Sequence, residues 1–348
     1  MRPALRAGLQ PVWRDRDTLQ LGIDPRRAVA LGGLGPAAAM LGLLDGSRDR
    51  DQLITAARAA GLPPAAADRV LALLAQAGVL DDGPPGGAAW LPEPMRARLG
   101  PELATAALAY GQGDGGARVL ARRRGAFVRV HGAGRTGACL ATFLAASGVG
   151  RVACADPEPA EPADLAPAGL IEADLGLPRQ DGAARAVGRT AAGTWTQDDG
   201  GIPDLVVLTR PARPDQAAAL TRDRVPHLAV SAGEAIGVVG PLVWPGRSAC
   251  LRCVDLRKAD ADPHWPKVAA QATLAPRIRP EACDTTLAAM TAALACTQAL
   301  ALIDRAGPAP ATVGGTLEVV LPDWQWRRRT WPPHPACGCG APAAGRSG

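Results

Sequence analysis

The stretch FVRVHGAGRTG, residues 127–137, decides the fold of the longest segment of this chain. Its first four residues form a short strand pattern, and a helical pattern follows from Thr136 to Ser147. Between them, Gly132, Gly134 and Gly137 have the spacing G-x-G-x-x-G. Such glycines allow a tight turn, close approach of a phosphate to the backbone, and packing of the helix on the strand. The stretch therefore predicts the phosphate-binding loop of a nucleotide-binding α/β domain.

An acidic residue follows this loop at the distance expected for a contact to ribose. The next strand pattern, residues 152–155, ends at Asp156, about 20 residues beyond the loop, where a carboxylate would hold the ribose hydroxyls. Further strand patterns at 205–208 and 227–230 alternate with helical patterns, which predicts a Rossmann-like parallel sheet with helices on both faces. The alternative interpretation is that the glycines serve only the packing of helix on strand.

Four of the eight cysteines occur in two closely spaced pairs. Cys250 and Cys253 form a Cys-x-x-Cys, and Cys337 and Cys339 form a Cys-x-Cys. The two pairs together would complete a tetrahedral Zn²⁺ site, and four thiolate ligands would leave no open position, so the site would be structural. The alternative interpretation is a set of reduced thiols near a frayed terminus.

Cys283 differs from the other cysteines because it directly precedes a helical pattern at residues 285–304. A thiol at a helix N-terminus can have a lowered pKa, and such a thiol could accept a thioester. Packing at the helix entry is the simpler interpretation.

The composition limits the classes of function. With 348 residues the chain is long enough for two or three domains, and 47% of its residues are hydrophobic. A net charge of +5 is too small for the concentrated basic surface of a dedicated nucleic-acid binder. The sequence contains neither an uninterrupted run of roughly 18 apolar residues that would span a membrane nor an apolar secretory segment after Met1. We therefore expect a cytoplasmic protein.

Shifts in composition divide the chain into four parts. The first contains two strand patterns, at 18–23 and 28–31, followed by three short helical patterns, an order that indicates a small winged-helix module. The second is rich in glycine and proline, contains one helical pattern at 101–109, and ends in an arginine run, residues 122–124, which we interpret as a solvated turn. The predicted parts are the module, a connector, the large domain and a flexible tail, at residues 1–82, 83–125, 126–340 and 341–348.

The residues after the glycine loop resemble those of the ThiF/MoeB/HesA family, which has the fold of ubiquitin-activating enzymes. The resemblance rests on residues 144–156, where an L-x-x-x-G-V-G pattern leads into a strand that ends in Asp, and on residues 237–246 with the Cys-x-x-Cys beyond them. It covers roughly residues 126–339 and argues against NAD-linked redox chemistry, the third possible function. The resemblance implies adenylation of a C-terminal carboxylate with ATP and Mg²⁺.

The sequence departs from this family where the catalytic residues are expected. The arginine of the family's Asn-Leu-x-Arg-Gln stretch is missing from residues 164–168, and Arg179 is the nearest substitute for a phosphate-contacting lysine. The strand at 205–208 is followed by Thr-Arg-Pro, with no carboxylate for Mg²⁺ before Asp215. Because adenylyl transfer depends on a metal and on cations that spread the developing charge, losing both should remove most of the rate.

A degenerate activating fold behind a small module is similar to the ThiF-like, leader-peptide-binding partners of azole-forming cyclodehydratases in thiazole/oxazole-modified microcin biosynthesis. The resemblance implies that the first module is PqqD-like: a leader peptide adds a strand to its sheet edge, at 18–23 or 28–31, and lies against the helix at 64–77. A docking module that binds no peptide is the alternative. The predicted peptide contacts are Leu19, Leu21, Ile23 and Arg69.

Two functional hypotheses follow. In the first, the chain is a homodimer with structural Zn²⁺ that binds a ribosomal precursor peptide and presents it to a separate ATP-dependent modifying enzyme, without itself being an enzyme. In the second, it is an adenylyltransferase that uses ATP and Mg²⁺ on the C-terminus of a peptide or a ubiquitin-like protein.

Overall fold

The computed structural model describes residues 1–83, 88–274 and 281–342. The chain divides into two compact units, Met1–Ala121 and Arg122–Gly348. The glycine loop, Asp156 and the paired cysteines all belong to the second unit. Most of the predicted tail, from residue 343 onward, lies outside the described residues.

The first unit contains two small antiparallel sheets and a group of short helices. One sheet pairs β1 with β5, and the other has the strand order β2-β3-β4. The strands are β1 (Pro3–Leu5), β2 (Pro11–Trp13), β3 (Thr18–Leu21), β4 (Val29–Gly32) and β5 (Leu80–Asp82). The helices are a 3₁₀ helix (Gly35–Leu43), α1 (Arg50–Ala59), α2 (Pro64–Gln76), α3 (Glu93–Arg98), α4 (Gly100–Tyr110) and α5 (Ala117–Gly125), the last of which crosses into the second unit.

The start of α1 shows why this segment is helical. The Asp49 carboxylate accepts a hydrogen bond from the backbone N–H of Gln52, and the Gln52 side chain accepts one from the backbone N–H of Asp49. This reciprocal capping satisfies two donors that the first helical turn leaves free. Leu53 and Ala57, four residues apart on one face, are then buried in the core of the unit.

The segment predicted as a connector is largely helical. It contains α3, α4 and α5, and its greater part belongs to the first unit. Pro94 and Pro101 stand in the first turns of α3 and α4, and Gly111 ends α4 in the left-handed conformation, with a φ of 60°. Both are positions that these residues favour, so the composition marks helix ends instead of a linker. Residues 84–87 lie outside the described residues.

The second unit is built on a seven-stranded sheet with the order β12-β11-β10-β9-β8-β6-β7. Its strands are β6 (Phe127–His131), β7 (Arg151–Ala155), β8 (Leu205–Leu208), β9 (His227–Gly233), β10 (Ile236–Val243), β11 (Gly315–Val320) and β12 (Arg327–Thr330). Its helices of nine residues or more are α6 (Arg135–Ala146), α7 (Arg179–Thr190), α8 (Pro214–Arg222), α9 (Leu251–Ala261), α10 (Trp265–Leu274) and α11 (Thr285–Asp304).

The predicted parallel sheet is present in only part of the seven strands. Strands β7, β6, β8 and β9 pair in parallel, whereas β10, β11 and β12 continue the sheet in antiparallel pairs. The change of direction occurs at a two-residue turn, Glu234-Ala235, in which both residues have positive φ. So short a connection can join only antiparallel neighbours.

Helix α11 is the one helix in the described part of the chain that is long and apolar enough to cross a membrane. It contacts α6, β9 and β10, and 56% of its most apolar window is buried inside the protein. Its apolar composition is therefore explained by its place in the core, where it covers one face of the sheet.

The arginine run at residues 122–124 is the last turn of α5, and the prediction of a solvated turn was wrong. Arg123 is buried, and its Nε and Nη2 donate hydrogen bonds of 2.8 and 2.7 Å to the two carboxylate oxygens of Asp304 at the end of α11. Arg122 donates a hydrogen bond to the backbone oxygen of the same residue. These contacts join the last turn of α5 to the end of α11.

Candidate functional site

The glycine loop connects β6 to α6, as predicted. Gly132 has a φ of 94°, and a Cβ added there would lie 2.5 Å from Oγ1 of Thr209. A Cβ at Gly137 would collide with the backbone oxygen of Gly132. Gly134 is the N-cap of α6 and offers no side chain to the first N–H groups of the helix. The loop therefore has the close packing and the exposed amide donors of a phosphate-binding turn.

Asp156 lies directly beside this loop at the end of β7. Its Oδ2 accepts a 2.8 Å hydrogen bond from the backbone N–H of Ala133, and the residue is only 2% exposed. The Gln180 side chain accepts a hydrogen bond from the Asp156 backbone N–H. The carboxylate is thus in the position that the ribose prediction requires, but it is turned into the protein and bonded to the loop.

Arg210 occupies the space in front of Asp156, and sequence reasoning assigned it no role. It follows β8, which lies next to β6, so the end of β8 meets the glycine loop. Its Nη2 is 3.1 Å from Asp156 Oδ2, and its Nη1 is 3.0 Å from Glu158 Oε1. Its Cγ would lie 3.2 Å from a Cβ at Gly132. The only signal in the sequence is the position of an arginine directly after the buried strand at this switch point of the sheet.

Arg179, the predicted phosphate contact, lies among carboxylates at the start of α7 and is 1% exposed. Its Nε donates a 2.6 Å hydrogen bond to Asp164, and its Nη1 donates a 2.7 Å bond to Glu158 and lies 3.7 Å from Asp156. Two arginines and three carboxylates therefore form one ion-pair network, which we call the arginine–carboxylate cluster. Its members are Asp156, Glu158, Asp164, Arg179 and Arg210.

The cluster determines what this site can do chemically. Each of its carboxylates is paired with an arginine, so none of them offers the free oxygens that Mg²⁺ requires. Thr209 bonds the backbone oxygens of His131 and Gly132. The next carboxylate after β8, Asp215, is exposed and lies 3.5 Å from Arg213. For a nucleotide ribose to reach Asp156, Arg210 would first have to leave it.

The cluster predicts a pH dependence of stability. Arg210 and then Arg179 lower the pKa of Glu158 from 4.5 to about 2. Because the folded pKa lies below the unfolded one, this stabilisation is present above about pH 4.5 and is lost as the pH falls towards 2. We expect Arg210→Gln to lower the melting temperature clearly at pH 7 and much less at pH 3, measured by circular dichroism. A difference that is equally large at both pH values would contradict the pairing.

Cys283 lies near the N-terminus of α6, where Arg135 donates a 3.1 Å hydrogen bond to the Cys283 backbone oxygen. Burial raises the pKa of the thiol, and this outweighs the opposing effect of Arg135. A thiol with a raised pKa forms less thiolate and is a weaker nucleophile at neutral pH. The geometry therefore favours packing at the entry of α11 over a thioester role.

The four paired cysteines meet in space. Their Sγ atoms all lie within 4.8 Å of one another, with 3.8 Å between Cys250 and Cys253 and 3.6 Å from these two to Cys337 and Cys339, respectively. Tetrahedral zinc with Zn–S bonds of about 2.3 Å separates its sulfurs by about 3.8 Å, whereas a disulfide bond is about 2.05 Å long. Burial raises the pKa of the Cys250 thiol. The residues could hold a metal ion, whose charge would stabilise the buried thiolates.

Helix α9 holds the second cysteine pair, Cys337 and Cys339, in place through contacts beside the four cysteines. Arg257 donates a 2.9 Å hydrogen bond to the backbone oxygen of Pro333, and Asp260 lies 3.0 Å from Nε2 of His334. The backbone N–H of Cys337 in turn donates to the backbone oxygen of His334. These bonds attach the segment that carries Cys337 and Cys339 to the helix that carries Cys253.

The predicted peptide contacts lie in different environments of the first unit. Leu19 and Leu21 are buried in its core, whereas Ile23 is 62% exposed and Arg69 on α2 is exposed. Strand β3 is the central strand of its sheet, because β2 pairs with its other side. Of the two predicted edges, only β4 is therefore free within the described residues. The three-residue strand β2 was too short to be recognised from its sequence.

The fold can be compared with solved structures over the whole chain. E. coli MccB with ATP has a TM-score of 0.67 and 16% identity over 98% of this chain and 100% of that chain. The microcin C7 biosynthetic enzyme MccB with N-formylated MccA has a TM-score of 0.68 and 16% identity, with the same coverage. PaaA has a TM-score of 0.62 and 16% identity over 76% of this chain and 91% of that chain.

Sequence comparison adds nothing to this likeness. No protein-family model matches the chain, and no curated protein matches it. Identities of 16% establish the fold alone. The chain therefore has the fold of MccB over nearly its whole length.

Proposed function

We propose that this protein is a non-catalytic member of the ThiF-type fold that binds a ribosomal precursor peptide and presents it to a separate modifying enzyme. The observation that carries the proposal is the arginine–carboxylate cluster. Arg210 and Arg179 neutralise the carboxylates that a nucleotide and its Mg²⁺ would need, and Arg210 lies where the ribose would approach Asp156. Phosphoryl chemistry needs cations and metal arranged around the phosphates, and here the cations are bound by the protein itself.

Peptide binding is assigned to the first unit in this proposal. MccB structures with MccA support a peptide as the partner of this fold. The free β4 edge offers unpaired backbone groups to an added strand, Ile23 offers exposed apolar surface, and Arg69 offers an exposed positive charge. An extended, partly acidic leader peptide fits these three features. The four cysteines would hold structural Zn²⁺, and a homodimer would present two peptides at once.

An active adenylyltransferase is the second candidate, because MccB structures contain ATP and the MccA peptide. It requires the Arg210 side chain to move from Asp156 and Glu158 onto a phosphate. Arginine binds phosphate oxygens well, so the ion pairs that close the site could be exchanged for contacts to ATP. This candidate predicts nucleotide binding with a large rearrangement of Arg210.

Nucleotide binding and exchange separate the two candidates. We expect the full-length protein to bind Mg·ATP with a dissociation constant weaker than about 1 mM in calorimetry, and to show no ATP–pyrophosphate exchange with peptides selected on it from a displayed library. Exchange that depends on a selected peptide and disappears in Asp156→Ala would reject the non-catalytic proposal.

The same selected peptides test the binding surface. We expect Arg69→Glu to weaken acidic ligands roughly tenfold, because it replaces attraction with repulsion. Arg58→Glu on α1, an exposed arginine of the same unit, is the matched control and should change the affinity little. If both variants weakened the acidic peptides equally, the affinity would depend only on the overall charge of the unit, and Arg69 would not be a specific contact.

A further inference from the structure

The edge of the large sheet carries a second set of features that the proposed function leaves unused. Strand β12, Arg327–Thr330, pairs with β11 on one side and ends the sheet. All four of its residues are exposed. Within the described ranges of the chain, no strand pairs with its other side. An open edge of this kind is a site where an extended polypeptide can add a strand.

Cations and indole rings lie together beside this edge. The Arg329 guanidinium is 4.3 Å from the centre of the Trp331 ring. Lys258 on α9 has its Nζ 4.2 Å from the Trp265 ring and 6.0 Å from the Trp331 ring. Each ring face attracts a cation, so the indoles hold two positive charges close together at the sheet edge.

These two cations have no acidic partner of their own. In the described portion of the chain neither Lys258 nor Arg329 forms an ion pair, although other arginines of the unit do. The neighbouring carboxylates Asp255 and Glu318 accept hydrogen bonds from Trp265 and from the Thr316 hydroxyl, and they attract Lys258 without forming an ion pair with it. Burial lowers the pKa of Lys258; Asp255 and Glu318 oppose this effect, and Arg329 adds to it. A carboxylate added between Lys258 and Arg329 would reduce the repulsion between these two cations.

We propose that the β12 edge binds an acidic, extended segment of a partner protein, which adds a strand to the sheet and places a carboxylate between Lys258 and Arg329. Side chains alternate between the two faces of a strand, so Arg327 and Arg329 lie on one face. The segment would therefore carry acidic residues at alternate positions. Arg327 is already paired with Asp323 at 2.7 Å, which makes Arg329 and Lys258 the decisive contacts.

A polypeptide fits this surface better than a nucleic acid. The open strand offers backbone donors and acceptors in the repeat of a β-ladder, which an extended chain matches and a phosphate backbone does not. The indole faces are covered by Arg329 and Lys258, so they are not free for base stacking. The net charge of the chain is also only +5.

The test uses a labelled peptide of about ten residues that alternates Thr and Glu, and measures its binding to the full-length protein by fluorescence anisotropy. We expect binding that is lost when Gln replaces Glu. N-methylation of every second backbone amide should abolish binding in one register and leave it nearly unchanged in the other, because only alternate amides face the sheet edge. Equal effects in both registers would reject strand addition.

Variants of the protein complete the test. The double variant Lys258→Gln with Arg329→Gln should weaken the Glu peptide about fivefold or more, the sum of two charge contacts. Arg213→Gln with Arg222→Gln, on α8 in the same unit, removes the same charge elsewhere and should change the affinity little. Thermal unfolding verifies that both variants fold. No binding of the peptide, an unchanged affinity in the first variant, or tighter binding of a single-stranded oligonucleotide would overturn the proposal.

Discussion

Removal of the Zn²⁺ that we propose for Cys250, Cys253, Cys337 and Cys339 is expected to destabilise the second unit more than any single substitution on its surface. Binding of structural Zn²⁺ is worth about 10–16 kcal/mol in small zinc-binding peptides, and part of that energy is folding energy wherever the site forms only in the folded chain. We expect one zinc per chain by elemental analysis. Cys253→Ser, which removes a fully buried ligand, should lose the metal and lower the melting temperature by roughly 10 °C.

A matched cysteine variant separates metal binding from general damage. Cys283→Ser changes a thiol outside the cluster, so the protein should keep its zinc and most of its stability. A strong chelator should lower the melting temperature of wild type and of Cys283→Ser to the level of Cys253→Ser, and should leave Cys253→Ser unchanged. Metal-free wild type with undiminished stability would show that packing alone holds the four thiols together.

The parallel half of the sheet could be predicted because each of its strands is a short run of apolar residues followed by a helical pattern. Leu205–Leu208 is buried along its whole length, which is typical of a strand covered on both faces. Strand β10 was harder to recognise, because Gly240 and Pro241 interrupt it and these residues usually mark turns. Its antiparallel direction depends on the Glu234-Ala235 turn, in which neither residue is a glycine or an asparagine.

The candidate site, like the sheet, has parts that could be predicted from the sequence and parts that could not. The glycine loop, Asp156 and the cysteine pairs are local patterns whose spacing determines their geometry, so the sequence was sufficient to locate them. Arg210 is distant from Asp156 along the chain, and only the order of strands β8, β6 and β7 brings the two together. The buried state of Arg179 depends likewise on the fold of residues 158–164. Sequence reasoning predicted that the family's catalytic groups are missing, but it could not place Arg210 beside Asp156.

Breaking the buried Arg123–Asp304 ion pair is expected to cost much of the stability of the second unit. Both side chains are buried, with exposed fractions of 11% and 1%, and Arg123 makes two parallel hydrogen bonds to the carboxylate. Asp304→Ala leaves a guanidinium charge in the interior without its counter-ion. Removing one partner of a buried pair costs about 3–5 kcal/mol. We expect a loss of this size in the free energy of unfolding, measured with urea.

A double-mutant cycle shows whether this loss reflects the attraction between Arg123 and Asp304 or the cost of leaving the Arg123 charge buried without its partner. If the abandoned charge dominates, Arg123→Met combined with Asp304→Leu should recover most of the stability, because apolar side chains of similar volume leave no charge in the interior. The pair of Arg151 and the exposed Asp199 is the control, since Asp199→Ala should cost far less than Asp304→Ala. A double variant as unstable as Asp304→Ala would mean that the pair itself, through its geometry, is needed to join α5 to the end of α11.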